Sequence, residues 1–414
     1  MTVACLESLT FGLGSLVRAA DGLGERIALL TRDPGYYRHE LDRLPDGALD
    51  VVRVDTFDVD AAARELEHLP GLRGLIGSTD TWLLAGAELT ARLGLPGLER
   101  PVLELMKDKA RVRDRLWAAG LSRGRSLPLP AAPDDAEAAG LLRLLAEETG
   151  FPAVVKDSAG TGSQNVWLVR DAQEARAALR EAAGRRVAGQ LFAEPFSPGP
   201  VYSAETLSWR GETRLLGVSS RLMSAEPLFR EEITAFPVAF PEPVLTGLAT
   251  WLGDVLAALG YTDRFAHVEF VLTRRGPEIV EVNPRIGGAL VAEGMCRALG
   301  YNVQRAVLET ALGRRPDLMD ATLPGGPAVA FVLAYPERPG TLTGVDGLDR
   351  FADLPGEPAW YPTKAPGDLV EHLTDSRGYA GIVYAEGETA ELATHRAVAA
   401  ANAVRVRTAP TAGG

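Results

Sequence analysis

Two apolar segments that each carry acids on one face constrain the fold of this chain most. The first segment, Phe265–Leu272, contains His267 and Glu269, and the second, Glu278–Asn283, contains Glu281. Side chains alternate between the two faces of a strand, so His267 and Glu269 share a face, and Glu281 shares one with the terminal asparagine. The short polar stretch between the segments predicts that they form a hairpin, partly buried by its apolar residues.

The register of this hairpin brings two carboxylates together. A five-residue loop over 273–277 places Glu269 directly opposite Glu281. Like charges that face each other across a ladder destabilise it by roughly 0.2–1 kcal/mol, and by more when they are buried. A cation is therefore expected between them, and two carboxylates with the amide of Asn283 suit a Mg²⁺ ion that keeps waters and holds phosphates. The alternative is a hairpin whose acids are solvated.

Lysine is rare in this chain, which makes its positions informative. Only four of the 43 basic residues are lysines, at positions 107, 109, 156 and 364. Lysine is a slender point charge, whereas arginine is a planar fork. The apolar segment Ala153–Lys156 predicts a strand that ends in a lysine, and a turn with Gly160 and Gly162 follows. Glycine turns let backbone N–H groups approach phosphate oxygens. A hairpin with a solvated lysine explains the same segment equally well.

The first hundred residues alternate between strand-like and helix-like patterns. The predicted strands are Val3–Leu6, Arg26–Leu30, Val51–Val54 and Leu72–Ile76, with helices that include Asp60–His68 and Thr81–Leu93. Such βα repetition predicts a parallel, Rossmann-like sheet. The Gly12-Leu13-Gly14 sequence lacks the third glycine of a dinucleotide fingerprint, so a tight turn is favoured over a nicotinamide site. The alternative, a nicotinamide oxidoreductase, depends on this motif alone.

The rest of the chain predicts a mixture of strands and helices. The predicted helices are 102–120, Asp134–Thr149, 171–183, 243–259, Leu290–Leu299, 302–313 and 387–403. The further predicted strands are Val166–Val169, Val187–Phe192, Val201–Trp209 and Arg214–Ser219. Residues 408–414 are expected to be a disordered tail.

Bulk properties exclude several classes of partner. A net charge of −12 makes nucleic acids and anionic membranes poor partners. No apolar stretch reaches the length of a membrane span, and the first residues lack the basic region of a signal peptide. Cys5 and Cys296 are too few for a disulfide framework or a cysteine zinc site. The cytoplasm is the expected compartment.

These motifs, in this order, resemble the ATP-grasp superfamily, and most closely its carboxylate–amine ligases, which include L-amino-acid (dipeptide) ligases and carbamoyl-phosphate-synthase-like members. The resemblance rests on Asp108-Lys109, the strand lysine with its glycine loop, the segment 190–197, the G-x-x-Y-S-x-E pattern at 199–205, and the acid–acid–Asn–Arg set. It implies an ATP-grasp fold of α/β and α+β type. The implied domains are a Rossmann-like pre-ATP-grasp domain over 1–98, an ATP-grasp domain over 99–313 with its hinge near 190–197, and a small α+β domain over 314–414.

The same resemblance implies a site that binds ATP and Mg²⁺. The implied ATP-binding residues are Lys109, Lys156, Gly160, Gly162, Ser163, Glu194, Pro195, Phe196, Ser197 and Glu205. Glu269, Glu281 and Asn283 are the implied ligands of two Mg²⁺ ions, for which Mn²⁺ can substitute. The implied catalytic groups are Arg221, Arg285, Gly287 and Gly288. Two positions depart from the family: Pro195 replaces the second residue of the usual hinge, and Arg221 replaces a lysine.

The implied reaction is ATP-dependent and ADP-forming: a carboxylate becomes an acyl phosphate and is joined to an amine. An amino acid is the preferred carboxylate, with a role in dipeptide, natural-product or siderophore synthesis. Glu231 and His267 are candidate substrate contacts, and the acidic segment 221–232 is a candidate ammonium site. Small molecules are the expected partners, and a homodimer is left open. The alternatives are a carboxylase or carbamoyl-phosphate-type enzyme, and an ATP-binding regulatory protein without turnover.

Overall fold

A parallel sheet forms the N-terminal part of the computed structural model, which describes residues 1–130, 135–226 and 228–410. Its strands are β1 (Thr2–Leu6), β2 (Arg26–Thr31), β3 (Asp50–Arg53) and β4 (Leu72–Ile76), in the order β3-β2-β1-β4. The helices between them are α1 (Leu13–Leu23), α2 (Arg38–Leu41), α3 (Val59–His68) and α4 (Leu83–Arg92). Every residue of β1 is buried, as expected for a parallel strand covered on both faces. The predicted Rossmann-like sheet is confirmed.

The helix predicted over 102–120 is wrong as a single element. The chain forms α5 (Arg100–Met106) and then α6 (Lys109–Ala118). The break occurs because the Asp108 side chain accepts hydrogen bonds from the backbone N–H groups of Ala110 and Arg111, which caps a new helix. This cap places Lys109 at the first position of α6.

A four-stranded antiparallel sheet follows. Its strands are β5 (Leu127–Leu129), β6 (Ala153–Asp157), β7 (Val166–Val169) and β8 (Leu191–Pro195), in the order β5-β8-β6-β7, with helices α7 (Asp135–Leu144) and α8 (Ala172–Ala183). The strand predicted at Val187–Phe192 begins later than expected. The backbone N–H groups of Ala188 and Gly189 instead donate to the Asp157 carboxylate, which holds this stretch as a loop.

An eight-stranded sheet is the largest sheet in the described part of the chain. Its first strands are β9 (Val201–Trp209), β10 (Glu212–Met223), β11 (Glu231–Phe236), β12 (Arg264–Thr273) and β13 (Gly276–Asn283), with helices α9 (Glu242–Leu259), α10 (Val291–Leu299) and α11 (Gln304–Ala311). The sheet is completed by β14 (Ala328–Ala334), β16 (Ala359–Pro362) and β18 (Gly381–Gly387). The elements outside it in this part of the chain are β15 (Gly340–Asp346), β17 (Leu369–Val370), α12 (Ala390–Ala403) and β19 (Arg405–Ala409). The strand order is β13-β12-β9-β10-β11-β14-β18-β16.

The C-terminal strands extend this sheet. Strand β14 pairs antiparallel with β11, so residues on either side of position 313 share one continuous sheet. A separate three-stranded sheet has the order β17-β15-β19. The tail prediction is wrong for Thr408 and Ala409, which pair with β15, while residues 411–414 lie outside the described residues. The domain boundaries stay predictions. No helix in the described part of the chain has the length and apolar character to cross a bilayer.

In the hairpin of β12 and β13, the predicted loop length is wrong, whereas the predicted pairing of Glu269 with Glu281 is confirmed. Thr273 pairs with Gly276, so the connecting turn has two residues rather than the expected five. The register then shifts by one residue between Glu269 and its neighbour, because β13 carries an extra residue, Val280, as a bulge. Glu269 therefore still faces Glu281 directly.

Helix α9 generates a test of how this sheet is covered. Leu252 is fully buried against the sheet, whereas Val244 on the same helix is 37% exposed. We expect Leu252→Ala to lower the free energy of unfolding by about 2–5 kcal/mol, because truncation leaves a cavity. Val244→Ala is the control and should change it by less than about 0.5 kcal/mol. Urea unfolding measures both, and equal effects would contradict the packing.

Candidate active site

A cavity of about 590 Å³ lies between the four-stranded antiparallel sheet and the eight-stranded sheet. Its walls include residues of β6 and β8 on one side and of β10, β12 and β13 on the other. The predicted site residues that line it are Lys109, Lys156, Gly160, Gly162, Ser163, Glu194, Pro195, Phe196, Ser197, Arg221, Glu231, Glu269 and Glu281. A volume of this size is typical of small-molecule and cofactor sites. The structure thus brings together residues that are up to 172 positions apart, from 109 to 281.

The facing acids of the hairpin are each paired with a cation from another element. Lys109 Nζ lies 2.9 Å from Glu281 Oε1, and Arg221 Nη2 lies 3.3 Å from Glu269 Oε1. Burial alone would raise the pKa of Glu269, but the charge of Arg221 and a hydrogen bond from His267 hold it well below its ordinary value. Burial would likewise lower the pKa of Lys109, but Glu281 outweighs it and the pKa is raised. Glu269 is therefore a carboxylate at neutral pH.

His267 connects the acid pair to a third acid, Glu205. His267 Nδ1 lies 2.7 Å from Glu205 Oε1, and its Nε2 lies 3.3 Å from Glu269 Oε1. Burial alone would lower the pKa of His267, but Glu205 and Glu269 raise it to about 9. The fully buried Glu205, expected to bind ATP, does not line the cavity. Its Oε1 contacts His267 and also accepts from Ser203 Oγ at 3.4 Å.

A second buried ion cluster lies where β6 and β8 form the cavity wall. Glu194 accepts from Lys156 Nζ at 2.7 Å and from Arg113 Nη2 at 2.8 Å. Burial would raise the pKa of Glu194, but these two cations hold it below its ordinary value. The pKa of Lys156 is lowered instead, because burial and the nearby Arg113 outweigh the attraction of one carboxylate. Lys156 Nζ also donates to the bulge carbonyl of Val280 at 3.3 Å, which ties the two sheets together.

Arg113 is a site residue that the sequence reasoning missed. Besides Glu194 it contacts Glu278 Oε1 at 2.7 Å and Ser122 Oγ at 3.0 Å, and it lines the cavity. One signal was available: Arg113 follows Lys109 by four residues, so both lie on one face of the same helix. Glu278, 165 positions further along the chain, carried no such signal.

Arg285 lies outside the cavity lining and is paired with Asp80, another residue the sequence reasoning missed. Its Nε and Nη2 reach Asp80 Oδ1 and Oδ2 at 2.8 and 2.5 Å, a bidentate contact. Lys107 Nζ also donates to the Asp80 carbonyl at 2.6 Å. The signal was the position of Asp80 after a parallel strand, since the carboxyl ends of such strands form ligand crevices. Gly287 is needed for close approach, because a Cβ there would lie 2.8 Å from His267 Nδ1.

The remaining predicted residues are placed as follows. The Phe196 backbone N–H donates to the Pro152 carbonyl at 3.1 Å, so this donor is already used. Glu231 faces Arg221 at 2.6 Å inside the cavity. Two further acids of the segment 221–232 already have cations: Glu226 pairs with Arg170 at 2.8 Å and Glu232 pairs with Arg230 at 2.6 Å. All three acids of this segment are therefore paired with an arginine, and Glu231 is kept as the candidate for an ammonium contact because it lines the cavity beside Arg221 and Glu269.

The side-chain oxygen atoms of the hairpin suit a magnesium ion that is also bound by phosphate. Among the described residues, no group of three or more His, Cys, Asp or Glu side chains could hold a metal ion. Glu269, Glu281 and Asn283 instead offer two carboxylates and an amide on one face of paired strands. Mg²⁺ commonly takes only one or two protein carboxylates and fills its remaining positions with water and phosphate oxygens. The residues present therefore suit a magnesium–nucleotide complex and not a protein cage.

Comparison with known proteins agrees with this arrangement. The ATP-grasp domain family matches residues 149–293, and the family described as L-amino acid ligase C-terminal domain 2 matches residues 332–409. Carnosine synthase 1 of Gallus gallus is 28% identical over 80% of this chain and 38% of the relative. The L-arginine-specific L-amino acid ligase of Bacillus subtilis is 21% identical over 68% of this chain and 67% of the relative. The crystal structure of an L-amino acid ligase from Bacillus licheniformis matches with a TM-score of 0.80, 21% identity, and 99% and 98% coverage.

The fold and the site together define an ATP-grasp protein. More particularly, the chain resembles the L-amino acid ligases of that superfamily, because the ATP-grasp domain matches residues 149–293 and the L-amino acid ligase C-terminal domain 2 matches residues 332–409. The likeness to the solved ligase, at 21% identity, shows the fold alone. The chain spans 38% of the length of the carnosine synthase, so the substrates named for its relatives do not transfer directly.

The Glu194 cluster generates a pH-dependent prediction. Because the pKa of Glu194 is below its ordinary 4.5 in the folded protein, its ion pairs contribute stability above pH 4.5 that is lost as the pH falls through the folded value. We expect Glu194→Gln to lower the free energy of unfolding by about 3–5 kcal/mol at pH 7, since Lys156 and Arg113 lose their shared partner. The difference from the wild type should shrink below pH 4.5.

Glu148→Gln is the matched control, because Glu148 pairs with Arg125 on the surface and is 41% exposed. It should cost less than about 1 kcal/mol at any pH. Urea unfolding from pH 7 to pH 4 measures both variants. A Glu194→Gln effect that does not change with pH would show that the fold does not lower the pKa of Glu194.

Proposed function

We propose that this protein is an ADP-forming ligase that joins the carboxylate of an amino acid to an amine through an acyl phosphate. The observation that carries the proposal is the pair Glu269 and Glu281, held face to face by the bulged hairpin and matched by Lys109 and Arg221. Structural hairpins avoid such a pair, because like charges that face each other lower stability. A site that handles a magnesium-bound triphosphate needs both the acids and the cations.

Several residues are proposed to bind the nucleotide. Lys109 and Lys156 both line the cavity and would neutralise phosphate oxygens, and the glycine loop with Gly160 and Gly162 follows Lys156 in sequence. The strand β8 with Glu194 and the segment 195–197 that follows it would hold the adenine. Glu269, Glu281 and Asn283 would hold two Mg²⁺ ions, which supply positive charge to the phosphates. The role of Glu205 is proposed to be indirect, through His267.

The chemistry then depends on position and charge. A carboxylate oxygen attacks the γ-phosphorus, the bond to the β-phosphate oxygen breaks, and ADP leaves with its electron pair. The amine nitrogen attacks the acyl carbon, loses a proton and expels inorganic phosphate. Arg221 would stabilise the charge on the transferring phosphoryl group, because fixed cations in a dry site act strongly on developing charge. Arg285 and the backbone at Gly287 and Gly288 would hold the acyl group.

The substrates are proposed from the geometry around Arg285 and Glu231. Arg285 offers a guanidinium to a carboxylate, and Asp80 holds that guanidinium in a fixed orientation. Glu231 offers a carboxylate on the cavity wall to an ammonium, although Arg221 shares it. An amino acid carries both groups, which supports an amino acid as the carboxylate donor. His267 is proposed as a neighbouring contact, and a homodimer stays a prediction.

A substitution at the hairpin tests the mechanism. We expect Glu281→Gln to lower substrate-dependent ADP release by at least about 10²-fold, because it removes a proposed metal ligand and the partner of Lys109. Asp254→Asn, on the exposed face of α9, is the matched control and should retain wild-type activity. A coupled assay of ADP formation measures both, and near wild-type activity of Glu281→Gln would refute the mechanism.

A panel of substrates tests the proposed reaction itself. Pairs of amino acids and other carboxylic acids are incubated with ATP and Mg²⁺, and phosphate release is measured together with mass spectrometry of the products. We expect at least one pair to yield an amide and ADP in equal amounts. Release that depends on bicarbonate would instead indicate a carboxylase or carbamoyl-phosphate-type activity. ATP binding without turnover on the whole panel would indicate a regulatory protein.

A further inference from the structure

The glycine loop between β6 and β7 separates two cavities. One is the cavity described above, and the other, of about 1050 Å³, lies on the opposite side of the loop. Gly160, Ser163 and Gln164 border both cavities. A loop with open space on both sides is not held by packing, so its position depends on the few polar contacts that tie it to the rest of the protein.

A distant segment of the chain supplies one of these contacts. The carbonyl of Gly162 accepts from the backbone N–H of Ser376 at 3.3 Å and from Ser376 Oγ at 3.2 Å. Ser163 Oγ donates to the Phe229 carbonyl at 2.6 Å, and Lys109 Nζ donates to the Gly160 carbonyl at 2.5 Å. The loop is thus tied to α6, to the turn between β10 and β11, and to the segment 372–378.

The contact with Ser376 is close enough to require glycine in the loop. Gly162 has a φ of +60°, and a Cβ built there would lie 2.1 Å from Ser376 Oγ. A side chain at position 162 would therefore displace Ser376 and strain the backbone. Flexibility of a phosphate loop alone explains the presence of glycines but not this approach to a serine 214 positions away.

The segment 372–378 is itself anchored. The buried Asp375 accepts from the backbone N–H of Arg377 at 3.0 Å and pairs with its guanidinium at 2.6 Å. Arg230, from the β10–β11 turn, donates to the Leu373 carbonyl at 2.5 Å and stacks on Tyr335, 4.0 Å from the ring centroid. Ser376 is therefore presented to the loop by a fixed support, which lies within the matched ligase C-terminal domain.

We propose that Ser376 is a positioning residue for the ligase reaction, which holds the glycine loop over the nucleotide cavity and keeps water from the acyl phosphate. The proposal rests on the proposed function. When the loop is displaced, water takes the place of the amine: its oxygen attacks the acyl carbon, phosphate leaves, and the free carboxylate is regenerated. ATP is then consumed without an amide product.

The size of the effect follows from the bond that is lost. A hydrogen bond of ordinary net strength, about 0.5–1.5 kcal/mol, changes an open–closed equilibrium by roughly two- to tenfold. Loss of the Ser376 hydroxyl leaves its backbone contact to Gly162 in place, so the loop should open more often rather than be lost. The phosphate released without amide, taken per amide formed, should therefore rise by that factor.

The first experiment compares Ser376→Ala with Thr374→Ala, a hydroxyl removal two residues away at an exposed position with no hydrogen bond to the loop. Phosphate release and amide yield are measured for each with one productive substrate pair. We expect the ratio of uncoupled phosphate (phosphate minus amide) to amide to rise roughly two- to tenfold in Ser376→Ala. It should stay at the wild-type value in Thr374→Ala, and Ser376→Thr, which keeps the hydroxyl, should restore it. A general loss of structure would lower both rates together and leave the ratio unchanged.

The second experiment needs neither nucleotide nor substrate. Hydrogen–deuterium exchange of the backbone amides of residues 159–165 is followed in the nucleotide-free protein. We expect faster exchange in Ser376→Ala than in the wild type and no change in Thr374→Ala. Unchanged exchange in Ser376→Ala would overturn the inference whether or not the protein is a ligase. Absence of amide product from the wild type would overturn the proposed function alone, because the exchange result tests the contact by itself.

Discussion

Two carboxylates that face each other across a hairpin are the constraint on which the site depends. Glu269 and Glu281 repel each other, and the sheet tolerates them because Arg221 and Lys109 approach from β10 and α6. The bulge at Val280 keeps the two acids opposed although the turn is shorter than expected. The central sheet, the capped start of α6 and the long strand β10 are thus fixed relative to one another by the need to balance these charges.

Buried charges are also balanced on the cavity wall that carries Glu194, but there one acid is shared by two cations. Glu194 lies between Lys156 and Arg113 and gains from two cations, whereas Lys156 is opposed by burial and by like charges, so its pKa falls. A phosphate bound beside Lys156 would add a negative charge that favours the protonated lysine. Lys107, Lys109 and Lys156 all lie at or beside this site in a chain that otherwise uses arginine almost everywhere.

Local patterns explain what could be predicted and distant contacts explain what could not. The facing acids were predictable because strand alternation has a period of two, and the Rossmann-like sheet because buried parallel strands are continuous apolar runs. The turn length was wrong because a bulge leaves no mark in the apolar pattern. Asp80 and Ser376 were missed because their partners lie 205 and 214 positions away, and no local periodicity connects such residues. The break before α6 was visible only as an aspartate, a residue that also occurs inside helices.

The sequence by itself determined the chemical types at the site. These are one acid on a face of each of two strands, a few lysines, and a glycine turn after a buried strand. It determined these because alternation and composition are local properties of the chain. Only the tertiary structure decided which cation faces which acid, that Arg285 is clasped by Asp80, and that the C-terminal segment supports the glycine loop. Such pairings depend on how separate sheets and helices pack against one another, which is a property of contacts between distant residues and not of any segment alone.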